Sequence, residues 1–430
     1  MKDILPILPA VARNHTQSIL QRFQKNVLPT YTRFDLVLDR GEGSRVWDVN
    51  GKCYLDFGAG IAVCALGHAH PEITRTLAEQ SRKLVHVSNL YFQEPQGGLA
   101  ERLVSLIGPG KVFFCNSGAE ADEGLYKLAR KFGHDEGRFE ILTAENSFHG
   151  RTLAGISATG QEKIKKGFEP MVQGFRHIPF NNLAAARAAL SPATAAILIE
   201  GVQGEGGVTP ATVEYLLGLR QLCDEKKLLL LMDGVQCGHF RTGRFQSYQR
   251  ILEGAAHPAA AGFLPDGIAM AKSLGGGFPM GAFWVREQWA DVLGAGTHAS
   301  TFGGSPLACA VGLKVLEVIE RDHLADNARQ TGEFLKQTLT ALATKYPRVI
   351  SQVRGLGLMI GIELAGDIPG FSAVDKAPAI QFINQLHEAG LLAIPAGARV
   401  VRLLPPLNLS REDAAEGLRI IESIAARLSP

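Results

Sequence analysis

Lys272 stands in the run GIAMAKSLGGGFPMGAFWV, after an apolar segment and before three glycines. Glycines there let a ligand approach the backbone closely. A lysine held away from bulk water has a lowered pKa and attacks carbonyl carbons as a free amine. Taken alone, it also fits a surface lysine lying over apolar neighbours. Asp233 ends the run LLLLMD. A carboxylate after five apolar residues is costly unless paired. It could cap a helix, bind a metal, orient a histidine or face a cationic ring nitrogen. No H-E-x-x-H and no His/Cys cluster with ligand spacing accompanies it, so a metal is not expected.

The segment NSGAEA (116–121) reads as a strand end, a Ser-Gly turn and a helix start. Free N–H groups and the positive end of a helix dipole make an anion site there, with the Ser117 hydroxyl beside Gly118 and Ala119. A plain helix cap is the other reading. No G-x-x-x-x-G-K-[ST] occurs, and no G-x-G-x-x-G follows a strand, which argues against nucleotide binding. In SFHGRT (147–152), Phe148 offers a flat apolar face, Arg151 a fork suited to a carboxylate, and His149 either a base or a packed loop residue. Glu205, in EGVQGEGG, and Arg402, in VVRLLPPL, are each unremarked charges in isolation. Together, an anion cradle, an aromatic plate, a strand-end acid and an activated lysine are the parts of a pyridoxal phosphate site. The cradle takes the phosphate, the lysine forms an imine, and the acid keeps the pyridine nitrogen protonated.

These residues need a scaffold that brings them to one edge. KVFFC (111–115), FEILT (139–143), AAILIE (195–200) and LLLLMD (228–233) read as buried strands. Ala121, Leu125, Leu128 and Phe132 share one helical face, and VEYLLGLRQLCDEKK forms a further helix. Ile73, Leu77 and Leu84 also fall near one face, as do Leu99, Leu103 and Leu106. This β-α-β rhythm predicts an α/β fold with a mostly parallel sheet covered on both faces, and ligands beyond the carboxyl ends of its strands. SPLACAVGLKVLEVIE begins a long helix, and Leu324, Ala328, Leu335, Leu339 and Leu342 are in phase. Ser410 and Asp413 resemble a capping box before a last amphipathic helix. VRGLGLMIGIEL and ARVVRLLPPL read as strands, and RGEGSRVWDVNGKCYLDF is hairpin-like. The expected division is 1–64 as the N-terminal part of a small domain, 65–315 as the large domain, and 316–430 as the C-terminal α+β part.

The chain has 430 residues, 46% hydrophobic and 20% charged, which excludes wholesale disorder. A net charge of +2 without a long basic run argues against nucleic acid and membrane surfaces as partners. The six cysteines (53, 64, 115, 223, 237 and 309) form no C-x-x-C pair, so free thiols in a reducing compartment are expected. Apolar runs are too short to span a membrane. Lys2 followed by two prolines makes a poor signal peptide, and the cytoplasm is the expected location.

YLDFGAGIAVCALGHAHP, VSNLYF, NSGAEA, SFHGRT, EGVQGEGG, DGVQCG, AKSLGGGFPMGA, STFGGSPLACA, VRGLGLMIGIEL and VRLLPPL together cover nearly the whole chain. In them the sequence resembles the class III (subgroup II) pyridoxal-phosphate-dependent aminotransferases of fold type I, and within that family the bacterial acetylornithine aminotransferases. The resemblance implies a seven-stranded, mostly parallel sheet, a smaller α+β domain, and a homodimer with active sites at the subunit interface. It implies that Lys272 holds the cofactor covalently, Asp233 pairs with the ring nitrogen, and Gln236 reaches the ring hydroxyl. Phe148 and Val235 would flank the ring, with His149 close by. Ser117, Gly118 and Ala119 would bind the phosphate, joined by Thr301 from the neighbouring subunit. Arg151 would take the α-carboxylate of N-acetylornithine or the distal carboxylate of 2-oxoglutarate. Arg402 would take the other carboxylate of 2-oxoglutarate, with Glu205 covering it when an ω-amino donor is present. The implied reaction is a ping-pong transfer of the δ-amino group of N-acetylornithine to 2-oxoglutarate, giving N-acetylglutamate 5-semialdehyde and glutamate, as in arginine biosynthesis. Lys272 would move the proton.

Other ω-amino donors (succinylornithine, ornithine, 4-aminobutyrate) fit the same class. A nicotinamide oxidoreductase lacks its glycine fingerprint, and a non-catalytic relative would not need every catalytic residue. The chain departs from the family pattern at Gly201 (for Pro), Gly234 (for Glu), Cys237 (for Thr) and Phe240 (for Gly), and has Asp122 where Asn is common. None of these is among the cofactor contacts that the resemblance implies.

Overall fold

The structure, a computed structural model, describes residues 10–371 and 376–429. Lys2 and the two prolines after it lie outside the described residues. The central sheet has seven strands in the order Gly110–Cys115, Gly281–Arg286, Gly267–Met270, Leu229–Asp233, Thr194–Glu200, Glu140–Ala144, Phe175–Ile178. Only Gly281–Arg286 runs against its neighbours.

The apolar runs lack alternation because both faces of this sheet are covered. All seven residues of Thr194–Glu200 and all five of Leu229–Asp233 are buried. Leu229 and Leu231 pack with Ala121, Leu125 and Leu128 of the Gly118–Gly133 helix. Leu230 and Met232 point the other way, into a cluster holding Leu216, Leu219 and Leu222 of the Val213–Lys226 helix.

A second sheet is antiparallel throughout, in the order Ile350–Leu356, Met359–Leu364, Val400–Leu403, Ile394–Pro395. The run VRGLGLMIGIEL is thus two strands rather than one. The chain reverses at Gly357, whose φ of 55° suits glycine. The helix Leu324–Lys345 packs on this sheet, and the helix Arg411–Leu428 packs on that helix in turn. Ser410 Oγ accepts the Asp413 N–H at 3.0 Å, capping the latter. A third sheet joins both ends of the chain: Leu38–Glu42, Arg45–Asp48 and Cys53–Asp56 form a meander, and Leu391–Leu392 pairs parallel to the last of these.

The helix holding Ile73 and Leu77 stops at Ser81, so Leu84 lies beyond it. Leu84 is exposed, with Val85, Leu90, Tyr91 and Phe92. All six cysteines are free, Cys53 and Cys64 half-buried and the others buried. No helix among the described residues is long and apolar enough to cross a membrane.

Candidate active site

The carboxyl ends of the parallel strands open onto one cavity of roughly 440 Å³. Its wall includes Ser117, Gly118, Ala119, Phe148, Arg151, Glu205, Asp233, Val235, Gln236 and Lys272, all singled out in the sequence. At one side the Gly118–Gly133 helix begins. Ser117 Oγ accepts the Glu120 N–H at 3.2 Å. The first N–H groups of any helix lack intrahelical acceptors, so those of Gly118 and Ala119 face the cavity as an anion cradle. A Cβ at Gly118 would lie 2.7 Å from Val235 Cγ1. Glycine is therefore required for Val235 to press so close.

Asp233 is buried at the end of its strand. Its Oδ2 lies 2.9 Å from His149 Nδ1, and its Oδ1 accepts the Val235 N–H at 3.0 Å. The predicted cost of this buried acid is met by those two donors. Lys272 follows the next strand, whose Ala269 lies opposite Asp233. Its backbone has a φ of 50°, uncommon for a residue with a side chain, which re-aims the amine after the strand ends. Burial holds Lys272 below the ordinary lysine range, and the Arg402 charge adds to this. Glu205, Asp233 and Glu200 oppose it. The amine is thus poised as a nucleophile and base.

At the far side Arg402 is almost fully buried. Its Nη2 lies 2.7 Å from Glu205 Oε1, and its Nη1 donates to Gln236 Oε1 at 2.7 Å. The Arg151 guanidinium sits 5.5 Å from the centre of the Phe148 ring, at the mouth of the same space.

One of the expected cofactor contacts lies elsewhere. His149 is fully buried behind Asp233 and is not on the cavity wall. It holds the acid rather than facing the space. Thr301 is exposed and outside this cavity. Arg402 acts on the wall through Glu205 and Gln236. Two acids went unremarked as site residues. Glu200 pairs across the sheet with Asp233, lines the cavity, and accepts the N–H groups of Gly204 (3.2 Å) and Phe148 (3.3 Å). It ends an apolar strand just as Asp233 does, which was a readable signal. Asp122 also lines the cavity, so one departure from the family pattern does reach the site.

The donor set fits pyridoxal phosphate: a helix N-terminus at one end for the phosphate, a supported carboxylate for the ring nitrogen, a flat aromatic face, and a desolvated amine. Ser117, Gly118, Ala119, Asp233, Val235, Phe148, Gln236 and Lys272 are the residues placed to hold it.

The chain is similar to known proteins over nearly its whole length. Residues 27–425 match the family described as aminotransferase class-III. The chain is 47% identical over 416 residues to an acetylornithine aminotransferase of Nostoc sp., covering 95% of this chain and 93% of that one. It is 45% identical to another from Gloeobacter violaceus, covering 96% and 98%. Among solved structures, the ornithine aminotransferase of Toxoplasma gondii superposes with a TM-score of 0.88 at 30% identity, covering 97% of both chains. The N-acetylornithine aminotransferase of Stenotrophomonas maltophilia does so with a TM-score of 0.76 at 35% identity, covering 92% and 97%. By sequence and by architecture, the chain belongs to the class-III aminotransferases.

Proposed function

We propose that this chain is an acetylornithine aminotransferase, which uses pyridoxal phosphate to move the δ-amino group of N-acetylornithine to 2-oxoglutarate. The products are N-acetylglutamate 5-semialdehyde and glutamate, a step of arginine biosynthesis. The observation that carries the reading is the convergence of the Lys272 amine, the Asp233 carboxylate and a helix N-terminus on one cavity. When bound, the cofactor supplies an aldehyde that condenses with amines and a ring that withdraws electrons.

The chain's own residues do the rest. N–H groups at Gly118 and Ala119, with the Ser117 hydroxyl, hold the phosphate. Asp233, kept in place by His149 and the Val235 N–H, holds a proton on the ring nitrogen. Phe148 and Val235 fix the ring plane. Lys272 is the amine that binds the aldehyde carbon. As a free amine it would serve as the base that carries a proton away from the donor carbon. Arg151 orients a substrate carboxylate.

The Glu205–Arg402 pair accounts for two substrates in one site. A δ-amino donor brings no carboxylate near its reacting amine, so Glu205 neutralises Arg402. A 2-oxo acid brings its own carboxylate, which displaces Glu205 from the arginine.

The succinylornithine, ornithine and 4-aminobutyrate readings share every one of these parts. The 45–47% identity to enzymes named for acetylornithine favours N-acetylornithine over ornithine, whose enzyme is matched at 30%. A homodimer, with Thr301 reaching the partner's phosphate site, is supported by the exposure of Thr301 beside exposed apolar residues. Six unpaired thiols support a cytoplasmic location.

A visible absorption spectrum of the purified holoenzyme tests the reading. N-acetylornithine should bleach the cofactor band and 2-oxoglutarate should restore it, with neither change in Lys272→Ala. Bleaching by ornithine or 4-aminobutyrate but not by N-acetylornithine would reassign the donor.

A further inference from the structure

Asp122 sits in the early part of the Gly118–Gly133 helix, 2% exposed, and lines the cavity. One oxygen of its carboxyl, one of Asp233 and a ring nitrogen of His149 lie within 4.8 Å of one another. The Asp122 and Asp233 carboxyls are thus close neighbours in a buried site, and Asp122 Oδ1 has no partner among the described residues. Two carboxylates this close and this buried are not both ionised, because like charges repel strongly away from water. One of the two must carry the proton. Asp233 has a donor on each oxygen, the Val235 N–H and His149 Nδ1, and such bonds favour its charged form. Asp122 has no comparable donor.

We propose that Asp122 works as a neutral acid whose O–H donates to Asp233, supplying with a carboxyl the hydrogen bond that an asparagine amide could make. It is a positioning residue: it adds a third donor to Asp233 and fixes the direction in which that charge faces. The proposal rests on the aminotransferase reading for the use of Asp233, but not for the proton on Asp122.

The surroundings keep that proton in place. Burial is the main cause raising Asp122 above the ordinary carboxylate range, followed by the charge of Asp233. The titratable groups around it are Asp233 and Glu200 from two neighbouring strands, His149 from the loop after a third, Cys115 before the helix, and Glu123 and Tyr126 on the helix itself. Glu200 is raised in the same way, by burial and then by Asp233. Lys272 lines the same cavity and is itself held below the ordinary lysine range by burial. In the unfolded chain an aspartic acid ionises near pH ~3.9. Between that value and the raised one, the folded state holds one proton more than the unfolded chain. Stability therefore falls as pH rises through this window, and an uncharged replacement removes the fall.

The test compares wild type, Asp122→Asn and Asp122→Ala as purified holoenzymes between pH 5 and 9. The apparent Tm of Asp122→Asn should gain on wild type as pH rises, by about 3 °C over the range. The infrared difference spectrum of wild type minus Asp122→Asn at pH 8 should show a protonated carboxyl band. Asp122→Ala, lacking the donor, should have a kcat about tenfold below that of Asp122→Asn. A Tm difference that does not change with pH, or a difference spectrum containing only ionised carboxylate bands, overturns the neutral acid. Equal kcat in the two variants overturns the positioning role. Where Asp122→Ala does not fold, the Asn variant alone still reads the proton. Melting and infrared signals need no amino donor, so they stand or fall separately from the choice of N-acetylornithine.

Discussion

Arg402, behind the cavity wall, is a guanidinium with only 3% of its side chain exposed, which is costly unless it is paired. Its two nearest partners divide the work. Gln236 holds one arm by its amide oxygen, whereas Glu205, about a third exposed, is free to swing. The half-exposed member of such a pair gives way, because water can take up its charge while Arg402 stays put. Glu205→Ala should leave Arg402 open to α-carboxylates at all times. The ratio of kcat/KM for N-acetylornithine to that for glutamate as donor is then expected to fall by about tenfold or more. Comparing the two donors in the same variant checks this, and an unchanged ratio would remove the gate. Most of the residues in this argument were legible as types: a lysine before three glycines, an acid at a strand end, an arginine beside an aromatic ring. Glu200 was as legible as Asp233, yet its importance depends on lying opposite Asp233 in the sheet, which strand register alone decides.

The departures from the family pattern make sense at the level of elements. A Cβ at Gly201 would lie 2.1 Å from Ser247 Oγ, and one at Gly234 would lie 2.4 Å from Gln246 Oε1. Cys237 Sγ contacts the same Ser247 hydroxyl at 3.2 Å. The Gln246 and Ser247 side chains at the start of the short Ser247–Ile251 helix thus fill the space that larger residues at 201 and 234 would need. Gly201, Gly234 and Cys237 are one coordinated rearrangement under the turn that carries Asp233 and Gln236. Gly201→Ala should destabilise the protein by about 1–3 kcal/mol through overpacking. Ser247→Gly in the same chain should restore most of that loss, because residues in contact do not add independently. Thermal or denaturant unfolding of the two single variants and the double variant measures the coupling, and simple additivity would refute it. Helices and buried strands were readable from apolar periodicity. The three-residue phase of Ile73, Leu77 and Leu84 was not enough to mark where the helix stops, because that spacing persists in a chain that has already left the helix.

Leu84 belongs to a feature of the whole molecule. Leu90, Tyr91, Phe92 and Phe302 are exposed together. Asn89 Nδ2 donates to the carbonyls of Ser300 (3.1 Å) and Gly303 (3.0 Å), and the His86 and Phe302 rings lie 5.2 Å apart, so the two segments form one surface around Thr301. An apolar surface of this kind is costly in water, and in the proposed homodimer it is the face that the partner would cover. With a second copy as the occupant, Phe92→Asp should shift sedimentation towards monomer and lower cofactor retention together. A variant that stays dimeric with full cofactor would rule out this surface.

By itself the sequence determined the chemistry on offer: a nucleophilic amine, an anion-binding helix start, a strand-end acid and the apolar strands that carry them. Those follow from residue type and local spacing, which act over a few residues. Only the tertiary structure decided that Glu205 pairs with Arg402, that His149 stands behind Asp233, and that the Asp122 and Asp233 carboxyls are close neighbours. Ion pairing, desolvation and proton sharing depend on distance in space. For these residues that distance is set by how strands far apart in the chain line up side by side.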